Sequence, residues 1–195
     1  MHTTECRTKW VAFLKGDNNA YDWLYITYVQ RLYRFGLRFT SNKELVKHSI
    51  QDVFTNLYKS RNRLTVPENV KVYLFISLKN TLIRLLQKEL LYNSYDQDIV
   101  HFSLEPTVED IFIEQEFQDQ QKEQVREILS LLTPRQQEII YYRYVQEMSY
   151  EEIGQLMNMN SQSAQNLIQR SLKKIKENYD KIPFTWILFL YSLRF

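Results

Sequence analysis

Apolar side chains recur along much of the chain at steps of three and four residues, which is the spacing that lines one face of an α-helix. One stripe spans residues 24–39, a second spans 46–57, and a third spans 72–85. A predicted loop, residues 64–69, separates the second stripe from the third. The pattern therefore predicts a helical bundle over the first ninety residues.

Helix starts are marked where Ser or Thr stands three residues before Glu or Gln, because the two side chains can then cap each other's backbone N–H groups. Pairs with this spacing that mark predicted helix starts are Ser41 with Glu44, Thr133 with Gln136, and Ser149 with Glu152. Pro134 also suits the first turn of a helix. We therefore expect helices to begin after residues 41, 133 and 149.

The C-terminal part carries a candidate helix-turn-helix. One helix follows Ser149, the segment 158–160 breaks it, and a second helix runs from Ser161 to about Asn178. Two short helices with a tight turn are typical of this DNA-binding motif. Gly154 costs the first helix about 1 kcal/mol relative to alanine, which predicts a close crossing by the second helix; a merely tolerated glycine is the alternative.

Between the two helical regions the sustained periodicity is lost and the charge changes sign. Residues 1–91 hold 15 Lys and Arg against 7 Asp and Glu, whereas residues 92–123 hold nine acidic residues and the single base Lys122. The remaining residues carry nine bases and seven acids. This segregation predicts two polyanion-binding domains joined by a solvated acidic linker, with one short helix around residues 108–117.

Composition narrows the class further. Three glycines and four prolines in 195 residues leave few helix breakers, so an all-α fold is expected. The single cysteine, Cys6, excludes an internal disulfide, and three scattered histidines offer no cluster for a metal. No nucleophile-base pair or phosphate loop can be assembled, so we expect no catalytic residues, no metal and no cofactor, and the protein is not expected to be an enzyme. The N-terminus lacks the apolar core of a signal peptide, which predicts a cytoplasmic protein.

Short motifs in order along the chain resemble the extracytoplasmic-function (ECF) sigma factors of bacteria. In the N-terminal part the motifs are 32–35 (LYRF), 51–54 (QDVF) and 73–75 (YLF) followed by Lys79 and Asn80. In the C-terminal part they are 132–138 (LTPRQQE) and 149–153 (SYEEI). The resemblance implies regions 2 and 4 of a sigma factor, which binds core RNA polymerase and directs it to promoters.

The same resemblance predicts the domain limits. Region 2, which binds core polymerase and recognises and melts the −10 element, is expected at residues 1–91. An acidic linker is expected at 92–121. The region 4 helix-turn-helix, which recognises the −35 element, is expected at 122–181. Residues 182–195 form an apolar C-terminal tail. In this family the linker threads the polymerase cleft toward the RNA exit channel; a flexible tether is the alternative.

Region 2 supplies two predicted surfaces. Gln51 and Asp52 are expected to bind core polymerase, although His48 and Ser49 replace the acid and the apolar residue that the family usually carries. Loop residues 64–69 are expected to wall a pocket for an extruded base of the −10 strand, because capture of the base offsets the cost of unstacking it. Four residues of the following helix are predicted to contact that strand: Lys71, Lys79, Asn80 and Arg84. For each of the basic side chains, the alternative is a position on a solvated helix face without DNA contact.

Region 4 supplies the third predicted surface, the helix that enters the major groove at the −35 element. Its predicted contacts are amide, hydroxyl and basic side chains suited to base edges and phosphates. They are Ser161, Gln162, Gln165, Asn166, Gln169, Arg170 and Lys173. Gln165 and Leu167 stand where the family often has basic residues. This difference predicts weaker electrostatic binding to DNA and unusual promoter specificity.

The expected partners are core RNA polymerase, promoter DNA and an inhibitory anti-sigma factor. The apolar tail is too short to span a bilayer as a helix, so we expect it to dock on the protein or a partner, with contact to a membrane surface as the alternative. Two other functions remain open on the sequence: a free-standing helix-turn-helix regulator, and a helical regulator that binds only protein.

Overall fold

The computed structural model describes residues 2–93, 102–104 and 127–178, and every regular element in these ranges is helical. The chain forms two compact units, Met1–Val100 and His101–Phe195. The predicted all-α fold is confirmed. The short helix predicted at 108–117 and the apolar tail lie outside the described residues.

The first unit contains four helices in its described part. They are α1 (His2–Leu14), α2 (Asn18–Gly36), α3 (Lys43–Ser60) and α4 (Val70–Asn93), with a 3-10 turn at Arg61–Arg63 after α3. The first two predicted stripes both face the core, because all of their apolar residues are buried: Leu24, Tyr28, Leu32, Phe35 and Phe39 in the first, and Val46, Ile50, Val53, Phe54 and Leu57 in the second. Phe35 and Phe75 meet there, with ring centroids 4.6 Å apart, and join α2 to α4.

Helix α1 is absent from the sequence prediction. It buries Cys6, Trp10 and Phe13, which lie at steps of four and three along one face. The Trp10 ring packs edge-on against Tyr73 of α4, with centroids 5.2 Å apart. The signal was present in the sequence, but it extends over only two turns and ends at the break near Gly16.

The predicted capping box at Ser41 and Glu44 is wrong. Helix α3 begins one residue later, and the Asn42 side chain accepts a hydrogen bond from the Leu45 backbone N–H at 3.0 Å. Asn caps helices as well as Ser does, so the nearer residue takes the position. Glu44 instead pairs with Lys47 at 2.8 Å.

The second unit begins its described helical part at residues 127–130 and continues through three helices. These are α5 (Pro134–Ile140), α6 (Tyr150–Met157) and α7 (Ser161–Asn178), with a π-helical turn at Tyr141–Val145 after α5. Both predicted capping boxes are confirmed, at the starts of α5 and α6. Tyr142 lies fully buried in the π turn and donates a hydrogen bond to Glu138 at 2.6 Å, which ties the turn to α5.

Candidate nucleic-acid interface

The outward face of α3 carries the two residues predicted to bind polymerase. Gln51 is exposed and Asp52 is partly exposed, whereas the next two residues, Val53 and Phe54, are buried in the core. His48, one turn earlier, places its Nε2 3.7 Å from an Asp52 carboxylate oxygen. The pair Gln51 and Asp52 is therefore available to a partner, and His48 adds a histidine to that face.

Hydrogen bonds hold the loop at residues 64–69, which is predicted to wall a base pocket, near both of its ends. The Trp10 indole N–H donates to the Thr65 carbonyl oxygen at 3.2 Å, and Trp10 itself is fully buried. The Asn69 side-chain oxygen accepts from the Val72 N–H at 3.3 Å and begins α4. Helix α1, which the sequence prediction omitted, thus positions a candidate DNA-binding loop.

The predicted −10 residues on α4 fall into two kinds. Asn80 and Arg84 are exposed one turn apart, so they share a face of the helix. Lys71 and Lys79 are partly buried, and their ammonium groups lie over aromatic rings, 5.7 Å from Phe75 and 6.0 Å from Phe39 respectively. Asn80 and Arg84 are therefore the more accessible candidates for contact with a strand.

An aromatic patch on α2 and α3 was not identified from the sequence. Tyr25 and Tyr58 are each 41% exposed, and Tyr21 lies between the two helices with its ring 5.2 Å from that of Tyr58. The Arg61 guanidinium lies 5.3 Å from the Tyr58 ring centroid. Tyr and Arg are enriched at protein–protein interfaces. Because Tyr58 follows Gln51 by seven residues, it lies on the same face of α3.

The helix-turn-helix has a tight and well-capped turn. Asn158 adopts the left-handed conformation, with φ of 52°, that ends α6, and the Asn160 side chain accepts from the Ser163 N–H at 2.7 Å as α7 begins. A Cβ on Gly154 would lie 2.5 Å from the Met159 carbonyl oxygen. The predicted close approach at Gly154 is thus present, but the backbone of the turn makes it, and not the body of the second helix.

Helix α7 has a buried face and a polar face. Ala164, Ile168, Ser171 and Ile175 are buried, so the opposite side of the helix is presented to solvent. All seven predicted −35 residues lie on this helix; Ser161 and Gln165 are partly buried, and the other five are exposed. The exposed residues are Gln162, Asn166, Gln169, Arg170 and Lys173.

Hydrogen bonds organise the polar face of α7. The Gln162 amide nitrogen donates to the Asn166 side-chain oxygen at 3.1 Å, and Arg170 Nε donates to the Asn166 carbonyl at 3.4 Å. Lys173 pairs with Glu177 at 3.5 Å, and both side chains are exposed, so this ion pair adds little stability. The face offers amide groups for base edges and leaves the basic side chains toward the end of the helix.

In the described ranges, no group of three or more potential metal-ligating side chains comes together. None of the helices described is long and apolar enough to cross a membrane.

Comparison with known proteins gives two family-model matches. The model described as Sigma-70 region 2 matches residues 24–90, and the model described as Sigma-70, region 4 matches residues 122–175. Together they span more than half of the chain, and they cover most of α2 to α4 in the first unit and most of the helix-turn-helix in the second.

Two curated proteins of Bacillus subtilis (strain 168) are similar over most of the chain. The ECF RNA polymerase sigma factor SigM is 23% identical over 160 residues, which is 82% of this chain and 95% of SigM. The RNA polymerase sigma factor YlaC is 22% identical over 158 residues, or 81% of this chain and 91% of YlaC.

Two solved structures share the fold. The structure of CnrH in complex with the cytosolic domain of CnrY has a TM-score of 0.58 at 15% identity and covers 91% of this chain and 98% of its own. The sigma factor RpoE in complex with the anti-sigma factor NepR, from Bartonella quintana, has a TM-score of 0.59 at 16% identity and covers 83% and 98% respectively.

Proposed function

The chain belongs to the ECF sigma factors of the sigma-70 family, and from that premise we propose that it binds core RNA polymerase and initiates transcription at particular promoters by −10 strand capture and −35 duplex recognition. One observation carries the proposal most directly: a region 2 match and a region 4 match follow one another in the same chain. A free-standing helix-turn-helix regulator would leave the region 2 unit without a role.

Core polymerase binds along the outward face of α3. Gln51 and Asp52 supply the polar contacts, and the aromatic patch around Tyr58 extends the same face with apolar area. Tyr and Arg dominate the energetics of many protein interfaces, so Tyr58 and Arg61 are the anchors of this surface. Replacing Tyr58 with Ala weakens polymerase binding at least about tenfold, while DNA binding by region 4 stays unchanged.

The −10 strand binds across α4 and the loop at 64–69. A base leaves the duplex at a cost of a few kcal/mol, and the factor recovers this cost by holding the base in a pocket. Asn80 offers an amide to a base edge, and Arg84 neutralises a phosphate on the same face. Lys71 and Lys79 add positive charge to the same helix, with their ammonium groups beside the rings of Phe75 and Phe39.

The −35 duplex binds the polar face of α7. Amide side chains at 162, 165, 166 and 169 recognise base edges, most favourably adenine, and Arg170 and Lys173 contact phosphates. Since few basic side chains lie on this face, the affinity for DNA depends less on salt than for a factor with a basic recognition helix. Selecting bound sequences from random duplexes at two salt concentrations tests both the preference and the salt dependence.

An anti-sigma factor is the expected regulator. Both structural neighbours were solved as complexes, one with an anti-sigma factor and one with the cytosolic domain of CnrY. The apolar tail, 182–195, provides a second contact for that regulator or for a membrane surface. Deleting 182–195 and then measuring regulator binding and vesicle binding separates these roles. If neither kind of binding changes, the tail has no part in the proposal.

Transcription in vitro tests the function as a whole. Core polymerase is supplied with the full chain and a library of genomic fragments, and transcripts are sequenced. Factor-dependent transcripts with common −10 and −35 sequences are the expected result. DNA binding by the chain alone, without association with polymerase, would instead indicate a free-standing regulator. Polymerase association without any promoter binding would indicate a regulator that binds only protein.

A further inference from the structure

Two amide side chains on the polar face of α7 are joined to each other. The Gln162 Nε2 donates a hydrogen bond to the Asn166 Oδ1 at 3.1 Å, and both residues are exposed. Residues four apart are neighbours on one face of a helix, so this bond connects the first turn of α7 to the second. The two side chains therefore form one hydrogen-bonded unit on the surface that is proposed to face the −35 duplex.

The backbone that carries Gln162 is fixed by the turn before it. The Asn160 side-chain oxygen accepts from the Ser163 N–H at 2.7 Å, and the Asn160 carbonyl oxygen accepts from the Ala164 N–H at 3.1 Å. Ala164 is fully buried, which attaches this turn of the helix to the core of the second unit. Gln162 consequently extends from a well-defined position at the start of α7.

The bond to Asn166 leaves Gln162 able to recognise a base. An amide nitrogen carries two hydrogens, and an amide oxygen can accept two hydrogen bonds. Since the Asn166 oxygen takes one hydrogen of Nε2, the other hydrogen and Oε1 can still bind DNA. A donor beside an acceptor matches N7 and the N6 amine of adenine in the major groove. Gln162 thus keeps the two groups that an adenine contact requires.

The positions of the two residues give them different roles. Residues near the N-terminus of a recognition helix contact base edges, and Gln162 is the second residue of α7. Asn166 is shorter by one methylene and lies one turn further along the helix. A glutamine side chain loses conformational entropy when a base contact fixes it, and a side chain that its neighbour already orients loses less. Gln162 is therefore suited to contact the base and Asn166 to orient Gln162.

We propose that Gln162 recognises one adenine of the −35 element and that Asn166 is a positioning residue, which holds the Gln162 amide in the orientation that this contact needs. The proposal deepens the −35 recognition proposed above and rests on it, and it assigns Asn166 a role that acts through Gln162. The preference for adenine at one base pair then depends on both residues together.

Sequence selection by the holoenzyme identifies the base pair that Gln162 contacts. The full chain is assembled with core polymerase, and promoters with a randomised −35 element are selected by binding and sequenced. Gln162→Ala should lower the preference for adenine over the other bases by about tenfold at one position. Gln162→Glu should favour cytosine at that position, because a carboxylate accepts from the cytosine N4 amine but cannot donate to N7 of adenine.

The role of Asn166 is then measured at that same position. Asn166→Ala should lower the adenine preference about five- to tenfold, and the double variant with Gln162→Ala should lower it no further than Gln162→Ala alone. Asn166→Asp keeps an oxygen that accepts from Gln162, so it should retain the native preference, although its added negative charge weakens binding to all sequences alike. Ser163→Ala is the control, because Ser163 is exposed on the same turn, and it should retain the native preference.

Three results would overturn the pairing alone. If Asn166→Ala changes the preference at a different base pair, Asn166 contacts a base of its own. If Asn166→Asp loses the preference as Asn166→Ala does, the acceptor oxygen does not position Gln162. An equal loss in Ser163→Ala would indicate a general disturbance of the first turn. A native holoenzyme that selects no −35 sequence would instead overturn the sigma-factor function, and with it this proposal, before any substitution is compared.

Discussion

At the scale of single residues, Glu138 and Tyr142 form a buried polar contact in the core of the second unit. A tyrosine hydroxyl donates to a buried carboxylate at 2.6 Å, one helical turn away. A hydrogen bond to an ionised acceptor is stronger than a neutral one, and loss of the donor leaves a buried carboxylate with one partner fewer. The pair therefore stabilises the junction between α5 and the π turn, against which Phe102 also packs.

We predict that Tyr142→Phe lowers the free energy of unfolding of the second unit by about 1.5 to 3 kcal/mol, the usual range for a hydrogen bond to a charged group. The measurement is urea unfolding of the full chain followed at amides of the second unit by hydrogen exchange. Tyr144→Phe is the matched control, because Tyr144 is 38% exposed and its substitution should change the same quantity by less than about 0.5 kcal/mol.

Tyr142 also gives the second unit a dependence on alkaline pH. Burial, and after it the neighbouring Glu138, raises the pKa of Tyr142 well above its ordinary value of 10.0. The native state keeps the proton at a pH where the unfolded chain loses it, so the stabilisation is complete below about pH 10 and falls as the pH rises further. Tyr142→Phe should make this decline less steep. The same slope in the variant and in the native chain would contradict the assignment to Tyr142.

At the scale of elements, α1 matters because it carries the side chain that holds the candidate −10 loop. We predict that Trp10→Phe removes the hydrogen bond to the Thr65 carbonyl, leaves a small cavity, and destabilises the first unit by about 1 to 3 kcal/mol. Affinity for a single-stranded −10 oligonucleotide, measured by fluorescence anisotropy with core polymerase present, should fall several-fold.

The control for this substitution is Trp23→Phe, which makes the same chemical change at a partly exposed site on α2. Oligonucleotide affinity should stay near the native value in that variant. If Trp10→Phe leaves the affinity unchanged although the first unit is destabilised, the loop at 64–69 does not depend on α1 for its DNA-binding shape.

The turn of the helix-turn-helix is the other element whose geometry one residue controls. We predict that Gly154→Ala, whose Cβ would lie 2.5 Å from a backbone oxygen, displaces the turn and lowers affinity for a −35 duplex by about tenfold or more. Gln155→Ala on the same helix is exposed and should leave the affinity unchanged. Native affinity in Gly154→Ala, measured by anisotropy on a selected duplex, would show that the turn shifts freely.

Sequence patterns predicted the elements with long apolar stripes and missed those that tertiary contacts decide. The stripes in α2 and α3 lie in the core, and the capping boxes at Thr133 and Ser149 are formed, because periodicity and capping are local properties. Helix α1 has only a two-turn stripe. Phe102 and Leu104 carry no periodicity at all, and their burial depends on Gln137, which is 33 residues further along the chain from Leu104.

In the candidate site, too, the sequence predicted what local patterns determine and missed what tertiary packing determines. Five of the seven residues that the sequence predicted on α7 are exposed, whereas Ser161 and Gln165 are partly buried, and the contact of all seven with DNA stays a prediction. It did not identify the aromatic patch of Tyr25 and Tyr58, because aromatic residues in helical stripes are usually core and their exposure depends on how α2 and α3 pack. Exposure of this kind becomes visible only once neighbouring helices are in place.

At the scale of the whole molecule, the positive charge of residues 1–91 and the negative charge of residues 92–123 cancel, so the net charge of +2 equals that of residues 124–195. We therefore expect a weak long-range field and weak non-specific binding of the free protein to DNA. We predict that neutralising four linker acids, by Glu109→Gln, Asp110→Asn, Glu114→Gln and Glu116→Gln together, raises affinity for random duplex DNA by about tenfold at low salt. The gain should shrink as the salt concentration rises, because screening weakens the added attraction.

The matched control changes the same segment without changing its charge, by Gln115→Asn, Gln118→Asn, Gln120→Asn and Gln121→Asn. Affinity of the control for random duplex, measured by anisotropy at two salt concentrations, should equal that of the native chain. If the charge-neutralised chain also binds like the native one, the acidic segment does not shield the basic surfaces. A gain that persists at high salt would mean that a specific contact has formed, since a long-range field between exposed charges is screened within about 10 Å at 0.1 M salt. Only a gain confined to low salt supports the view that the linker keeps the free factor from binding DNA.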